Sequence, residues 1–163
     1  MDNFIRLDYE FDVDKLKQEM YNVVELCGWG DKNQICLTHP PGKPDWFAGT
    51  GPMIQNKTFT ELNSFFTDTY FEKVYNDINN KYPLGRVRLM LLPGQKCFSL
   101  HADMTKRIHL PLITNEQCLM IIDDEVKHLP ADGGVWLTNT TRIHTALNGN
   151  YNFNRLHILF DLL

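Results

Sequence analysis

Residues 88–103 read RLMLLPGQKCFSLHAD. An apolar run stops at a Pro-Gly turn, resumes at Cys97, and ends on a histidine and an aspartate one residue apart. In a strand, residues two apart share a face, so His101 and Asp103 are expected to aim at one point. The pair alone is a weak signal. Six histidines and 13 aspartates in 163 residues give roughly 0.5 such matches by chance. The flanking chain gives it context. From residue 86 onward RVRLMLLP, CFSLHAD, RIHLPLI, CLMIID, EVKHLP, GVWLTN, HTALN and NRLHILFDL follow one another, short, β-rich and separated by turn residues. Eight such segments at that spacing predict an all-β sandwich or barrel.

The front half reads differently. Residues 4–9 suit a short strand. Asp12 and Asp14 then open a helix running to about Leu26, with Leu16, Met20, Val23, Val24 and Cys27 as its apolar stripe. ICLTH is a further strand candidate. Residues 39–58 are rich in proline and glycine and read as a long loop, a length that usually carries function. A second helix is expected over about 68–80, with Tyr70, Phe71, Val74, Tyr75 and Ile78 on one face. Neither half looks able to bury its own surface. The expectation is one domain over 1–163, with helical support and a lid loop in 1–85 and a β core in 86–163.

Composition narrows the class. Hydrophobic content of 43% and charged content of 22% are ordinary for a folded domain. Sixteen basic against 20 acidic residues leave a net charge of −4 with no long basic run, which argues against broad nucleic-acid binding. No apolar run approaches membrane-spanning length, and the first residues lack the basic-then-apolar order of a signal peptide. A cytoplasmic protein with no membrane partner is therefore expected. Cys27, Cys36, Cys97 and Cys118 form no C-x-x-C pair and read as free thiols in a reducing compartment.

Strand parity adds detail. In RIHLPL, Arg107 and His109 share one face while Ile108, Leu110 and Leu112 share the other. In RLHILFDL, Arg155, His157 and Leu159 oppose Leu156, Ile158, Phe160 and Leu162. The all-apolar faces suit packing against the helices, and the mixed faces then line the β interior. A charge there is costly unless paired or bound by a ligand, so an anion is expected at Arg155. A third metal-ligand candidate is His144. Two histidines and one carboxylate on one face of a metal leave three positions open, the arrangement of non-haem Fe(II) oxygenases.

With Arg155 eleven residues beyond His144, the set resembles the 2-oxoglutarate/Fe(II)-dependent dioxygenases of the double-stranded β-helix fold. It is closest to the aspartyl/asparaginyl β-hydroxylase-like group, which includes bacterial proline hydroxylases. The resemblance rests on RLMLLPGQKCFSLHAD, RIHLPL and GGVWLTNTTRIHTALN…RLHILFDL, about residues 86–161. It implies a jelly roll with an N-terminal helical layer packed on its major sheet. It also implies Fe(II) on His101, Asp103 and His144, with 2-oxoglutarate paired to Arg155 and helped by His109. Dioxygen would convert 2-oxoglutarate to succinate and carbon dioxide while a carbon of an amino acid or peptide side chain is hydroxylated. Some members have glycine at the metal-binding aspartate; this chain keeps Asp103.

Other readings stay open. A cupin-like metal-dependent isomerase or a metal-dependent small-molecule binding module could use the same barrel. Cupins, however, usually show H-x-H with a following glutamate. A silent β-sandwich module is the third class, and it has no reason to keep Arg155 inside. By parity Arg88 and Arg107 face the interior, as contacts for a substrate carboxylate or as ion pairs that hold the fold. Trp46 is a substrate lid or a core anchor. His109 is a co-substrate contact or a satisfied interior histidine. Substrate identity and oligomeric state are left undetermined by the sequence.

Overall fold

The computed structural model describes residues 2–51 and 56–163; residues 52–55, within the expected long loop, lie outside the described residues. The chain order begins with β1 (Phe4–Glu10), α1 (Val13–Cys27), β2 (Gln34–Cys36), β3 (Thr38–His39), β4 (Glu61–Leu62) and α2 (Tyr70–Asn79). The β-rich half then supplies β5 (Leu84–Leu92), β6 (Lys96–Cys97), β7 (Arg107–Ile113), β8 (Cys118–Ile122), β9 (Glu125–His128), β10 (Gly134–Thr138), β11 (His144–Asn148) and β12 (Arg155–Leu162). Six strands form a major sheet in the order β1-β10-β7-β12-β5-β2, and four form a minor sheet in the order β6-β11-β8-β9. All these pairings are antiparallel. The fold is a jelly roll with its helices on the major sheet.

Local chemistry sets the helix ends. Asp12 caps α1, its side chain accepting from Lys15 N at 3.0 Å, and Gly28 ends it at φ +66°, where a side chain would be strained. Thr69 caps α2. The Glu19 carboxylate of α1 also accepts from the amides of Tyr70 and Phe71, so one helix satisfies the free N–H groups of the other. Leu16, Met20 and Val23 of α1 and Phe71, Val74, Tyr75 and Ile78 of α2 are buried against the sheet.

Parity along the central strands has the two faces expected. Leu156, Ile158 and Phe160 of β12, Ile108, Leu110 and Leu112 of β7, and Val87 and Leu89 of β5 join the helical side chains in one apolar cluster. The opposite face carries Arg86, Arg88 and Met90, then Arg107 and His109, then Arg155 and Leu159, all lining a cavity between the sheets. Register puts these residues in rows: Leu159 lies between Arg88 and His109, and Asp161 beside Arg107.

Two readings differ from the structure. CFSLHAD is not a strand through to Asp103. The ladder stops at Cys97; beyond it Phe98 N donates to Ala146 O and Phe98 O accepts from Thr145 Oγ1, and the chain meets β11 further on through an isolated bridge between His101 and His144. The other side of β11 is already paired to β8 along its full length, and the segment must bend away to bring Asp103 under the cavity. Second, ICLTH splits in two, β2 extending the major sheet and β3 pairing with β4.

Candidate active site

His101, Asp103 and His144 come together at the mouth of the β interior. One ligand atom from each lies within 4.8 Å of the others. Backbone hydrogen bonds explain the convergence: His101 N donates to His144 O at 3.2 Å, His144 N to His101 O at 2.8 Å, and Asp103 N to Thr140 O at 2.8 Å. The two histidine rings are 4.3 Å apart between centroids.

Their orientation is set from behind. Nδ1 of His101 is 2.7 Å from the Ser99 carbonyl, and Nδ1 of His144 is 2.9 Å from the Arg142 carbonyl. A carbonyl only accepts, so both Nδ1 atoms carry a proton, and in the neutral ring that leaves Nε2 as the atom with the lone pair. Those Nε2 atoms face the carboxylate of Asp103, at 3.6 Å for His101 and 3.3 Å for His144. Two imidazole lone pairs and one carboxylate, each braced by an outer partner, are the donor set that a divalent iron takes, and the residues fit it.

Asp103 is braced by Arg107, whose guanidinium grips both carboxylate oxygens at 2.8 and 2.9 Å. Arg107 Nε in turn donates to Asp161 at 2.6 Å. Asp161 is fully buried and also accepts from Arg86 at 2.9 Å and Arg88 at 3.2 Å. Burial alone would raise its pKa, but the three guanidinium groups of Arg88, Arg107 and Arg86 overcome that and hold it at about 2.

Arg155 is different. It is buried, and among the described residues no carboxylate pairs with it. Its only side-chain partner among the described residues is Nδ1 of His157 at 2.8 Å, and burial lowers its pKa to about 10. Since arginine only donates, His157 Nδ1 accepts. His109 Nδ1, 3.3 Å away, is then assigned the proton, and its buried Nε2 is left as a lone pair without a partner among the described residues. Burial, then the charge of Arg155, push both imidazoles well below the ordinary histidine range.

The cavity has a volume of about 590 Å³. His101, Asp103 and His144 line it together with Arg155, His109, Arg88 and Arg107. Trp46 is elsewhere: its ring lies 4.6 Å from that of Phe65 and 5.6 Å from that of Phe66, against the helix-side core. Gln34, Arg86 and Asp161 are part of the site without having been singled out from the sequence. Asp161 could have been found by parity, since it continues the Arg155, His157, Leu159 face.

A jelly roll with a two-histidine, one-carboxylate cluster beside an interior arginine defines the class of 2-oxoglutarate-dependent oxygenases. Within that class, the chain belongs to the aspartyl/asparaginyl β-hydroxylase family, whose model matches residues 55–163, about two thirds of the chain. No curated protein matches the sequence. Solved structures with the same fold include HygX from Streptomyces hygroscopicus, determined with nickel and 2-oxoglutarate. It has a TM-score of 0.62 and 9% identity, over 97% of this chain and 81% of that one. EctD from S. alaskensis with bound Fe has a TM-score of 0.62 and 13% identity, covering 98% and 72%. The viral collagen prolyl hydroxylase of Paramecium Bursaria Chlorella virus-1 has a TM-score of 0.59 and 10% identity, covering 99% and 96%.

Proposed function

We propose that the protein is an Fe(II)- and 2-oxoglutarate-dependent dioxygenase that hydroxylates a carbon of an amino acid or of a peptide side chain. His101, Asp103 and His144 hold the metal, and Arg155 pairs with the far carboxylate of 2-oxoglutarate. The observation that carries this is the pairing of the convergent cluster with a buried guanidinium that no carboxylate among the described residues pairs with. Bound there, Fe(II) with 2-oxoglutarate and dioxygen supplies the oxidation that converts substrate C–H to C–OH, releasing succinate and carbon dioxide.

The chain's own residues provide positioning and charge. Ser99 and Arg142 carbonyls accept from Nδ1 of His101 and His144 and so turn each Nε2 inward. Arg107 fixes the plane of the Asp103 carboxylate. Arg155 offers a planar fork that matches a carboxylate, at a buried position where such a pairing is stronger than at the surface. His109 as assigned presents a lone pair there, so its contact with a carboxylate requires protonation at Nε2, which an incoming negative charge favours.

The deciding experiment is succinate formation from 2-oxoglutarate by Fe(II)-loaded protein across a panel of amino acids and short peptides. Substrate-stimulated succinate with matching hydroxylated product is expected. A protein that binds metal but never consumes 2-oxoglutarate would instead be a binding module or an isomerase.

A further inference from the structure

Arg155 is a buried cation whose neighbour is neutral. One guanidinium nitrogen donates to Nδ1 of His157 at 2.8 Å, and among the described residues no carboxylate pairs with the group. The other arginines on this face of the sheet, Arg86, Arg88 and Arg107, all share Asp161. Arg155 also differs in access. Arg88 Nε is closed off without a partner among the described residues, whereas no nitrogen of Arg155 belongs to that closed, unpartnered set, and its side chain lines the cavity. Its remaining donors are therefore those that reach the cavity.

The His157 ring is pinned on several sides. It is 1% exposed, and its residue is aligned with Met90 of β5 and Pro111 of β7. The His109 ring meets it edge-on, 5.6 Å between centroids, with Nδ1 to Nδ1 at 3.3 Å. Arginine only donates, so His157 Nδ1 accepts and the ring proton sits on Nε2. That Nε2 is buried with no partner among the described residues. The ring thus leaves one polar atom unsatisfied in order to place a lone pair on Arg155.

A neutral acceptor has a consequence that a charged one lacks. A carboxylate at position 157 would also orient the guanidinium, but it would neutralise it and compete with an incoming anion. An imidazole lone pair fixes the plane of the fork and leaves its charge uncompensated. With no acceptor at all, the ligand itself would have to order a side chain rich in rotamers.

We infer that His157 is the positioning residue of the co-substrate site: it orients Arg155 as a neutral acceptor, so that the far carboxylate of 2-oxoglutarate meets a preset fork that still carries its full charge. This rests on the oxygenase reading and extends it to a residue that does not itself line the cavity.

The test titrates 2-oxoglutarate into full-length, Mn(II)-loaded protein by calorimetry. Absence of binding by the wild type overturns the oxygenase reading; once the wild type binds, the variants decide the role of His157 alone. Asparagine and aspartate both place an oxygen about where Nδ1 stands, and they differ in charge. His157→Asn is expected to bind 2-oxoglutarate within about threefold of the wild type, His157→Leu about tenfold more weakly and His157→Asp at least about 30-fold more weakly, all with Mn(II) affinity unchanged. A merely structural role would not separate two substitutions of the same shape by their charge. Combined with Arg155→Leu, His157→Leu is expected to cause no further loss, because His157 acts only through Arg155. Equal affinities of the Asn and Asp variants, wild-type affinity in His157→Leu, or a further loss in the double variant overturns the inference. Where the variants do not give cooperative melts, nitrogen-edited histidine NMR spectra of the Zn(II)-loaded wild type decide it. His157 is expected to keep its proton on Nε2 with and without 2-oxoglutarate, and a proton on Nδ1 overturns the inference.

Discussion

Asp103 is a carboxylate gripped by an arginine and turned toward two imidazoles. The imidazole lone pairs of His101 and His144 face it from the cavity, and Arg107 grips it from below. Removal of a proposed metal ligand leaves an incomplete site, so His101→Ala and Asp103→Ala are each expected to abolish stoichiometric binding of Fe(II), Mn(II) or Ni(II) in calorimetry. Arg107→Met acts one step back. It frees the Asp103 carboxylate to rotate, and metal affinity is expected to fall about 10–100-fold, the usual effect of losing an outer partner. Asp161 retains Arg86 and Arg88, so that variant should stay folded. Arg155 is the complementary case. Arg155→Leu is expected to weaken 2-oxoglutarate binding by about 2–5 kcal/mol, roughly 30-fold or more, with metal content unchanged. Unchanged 2-oxoglutarate affinity in that variant would mean that the co-substrate carboxylate sits elsewhere.

At the scale of elements, β12 does two jobs at once. Its outward residues Leu156, Ile158 and Phe160 anchor the helical layer, while Arg155, His157, Leu159 and Asp161 point the other way. A shift of register by one residue would exchange these faces, so helix packing and site assembly depend on the same strand. Phe160 is 1% exposed and among the largest fully buried side chains. Phe160→Ala is expected to cost about 3–5 kcal/mol in urea unfolding, because the cavity left between sheet and helices collapses only in part. The Pro-Gly turn after β5 is similarly constrained: a Cβ on Gly94 would lie 2.6 Å from Tyr151 O and 2.7 Å from Asn150 O. That close approach holds β5 against the turn preceding β12.

For the whole molecule, the buried polar layer makes stability depend on pH. His109 and His157 are kept neutral by burial and by Arg155, well below their unfolded values. For groups with a depressed folded pKa, the stabilising share is fully present above the unfolded value near 6.5 and is lost as pH falls toward the folded one. Each can contribute a limiting slope of roughly 1.4 kcal/mol per pH unit. Asp161 acts in the same sense lower down, its contribution lost between its unfolded value and about 2. Urea midpoints measured without ligand are therefore expected to fall steadily from pH 7 to 5. A flat profile over that range would mean that neither imidazole is held neutral. Among the described residues no helix is long and apolar enough to cross a membrane.

The sequence by itself determined the fold class. Period-two alternation in RIHLPL and RLHILFDL, the helical stripes of α1 and α2, and the turn residues between short strands are local signals. Each states which face of an element is apolar and therefore where it must pack. It also supplied the candidates His101, Asp103, His144 and Arg155, since those residue types carry their chemistry wherever they lie. Only the tertiary structure decided how they stand to one another. His101 meets His144 through a bridge across 43 positions, and Asp103 gets its orientation from an arginine four residues on, itself held by a carboxylate in the last strand. The roles of Arg86, Arg88, Arg107 and Asp161 were likewise beyond a local reading. Parity placed Arg88 and Arg107 inside, but whether a buried cation is paired or open depends on how many carboxylates reach it. That number is set by register between strands distant in sequence, and it leaves Arg88 Nε without a partner among the described residues.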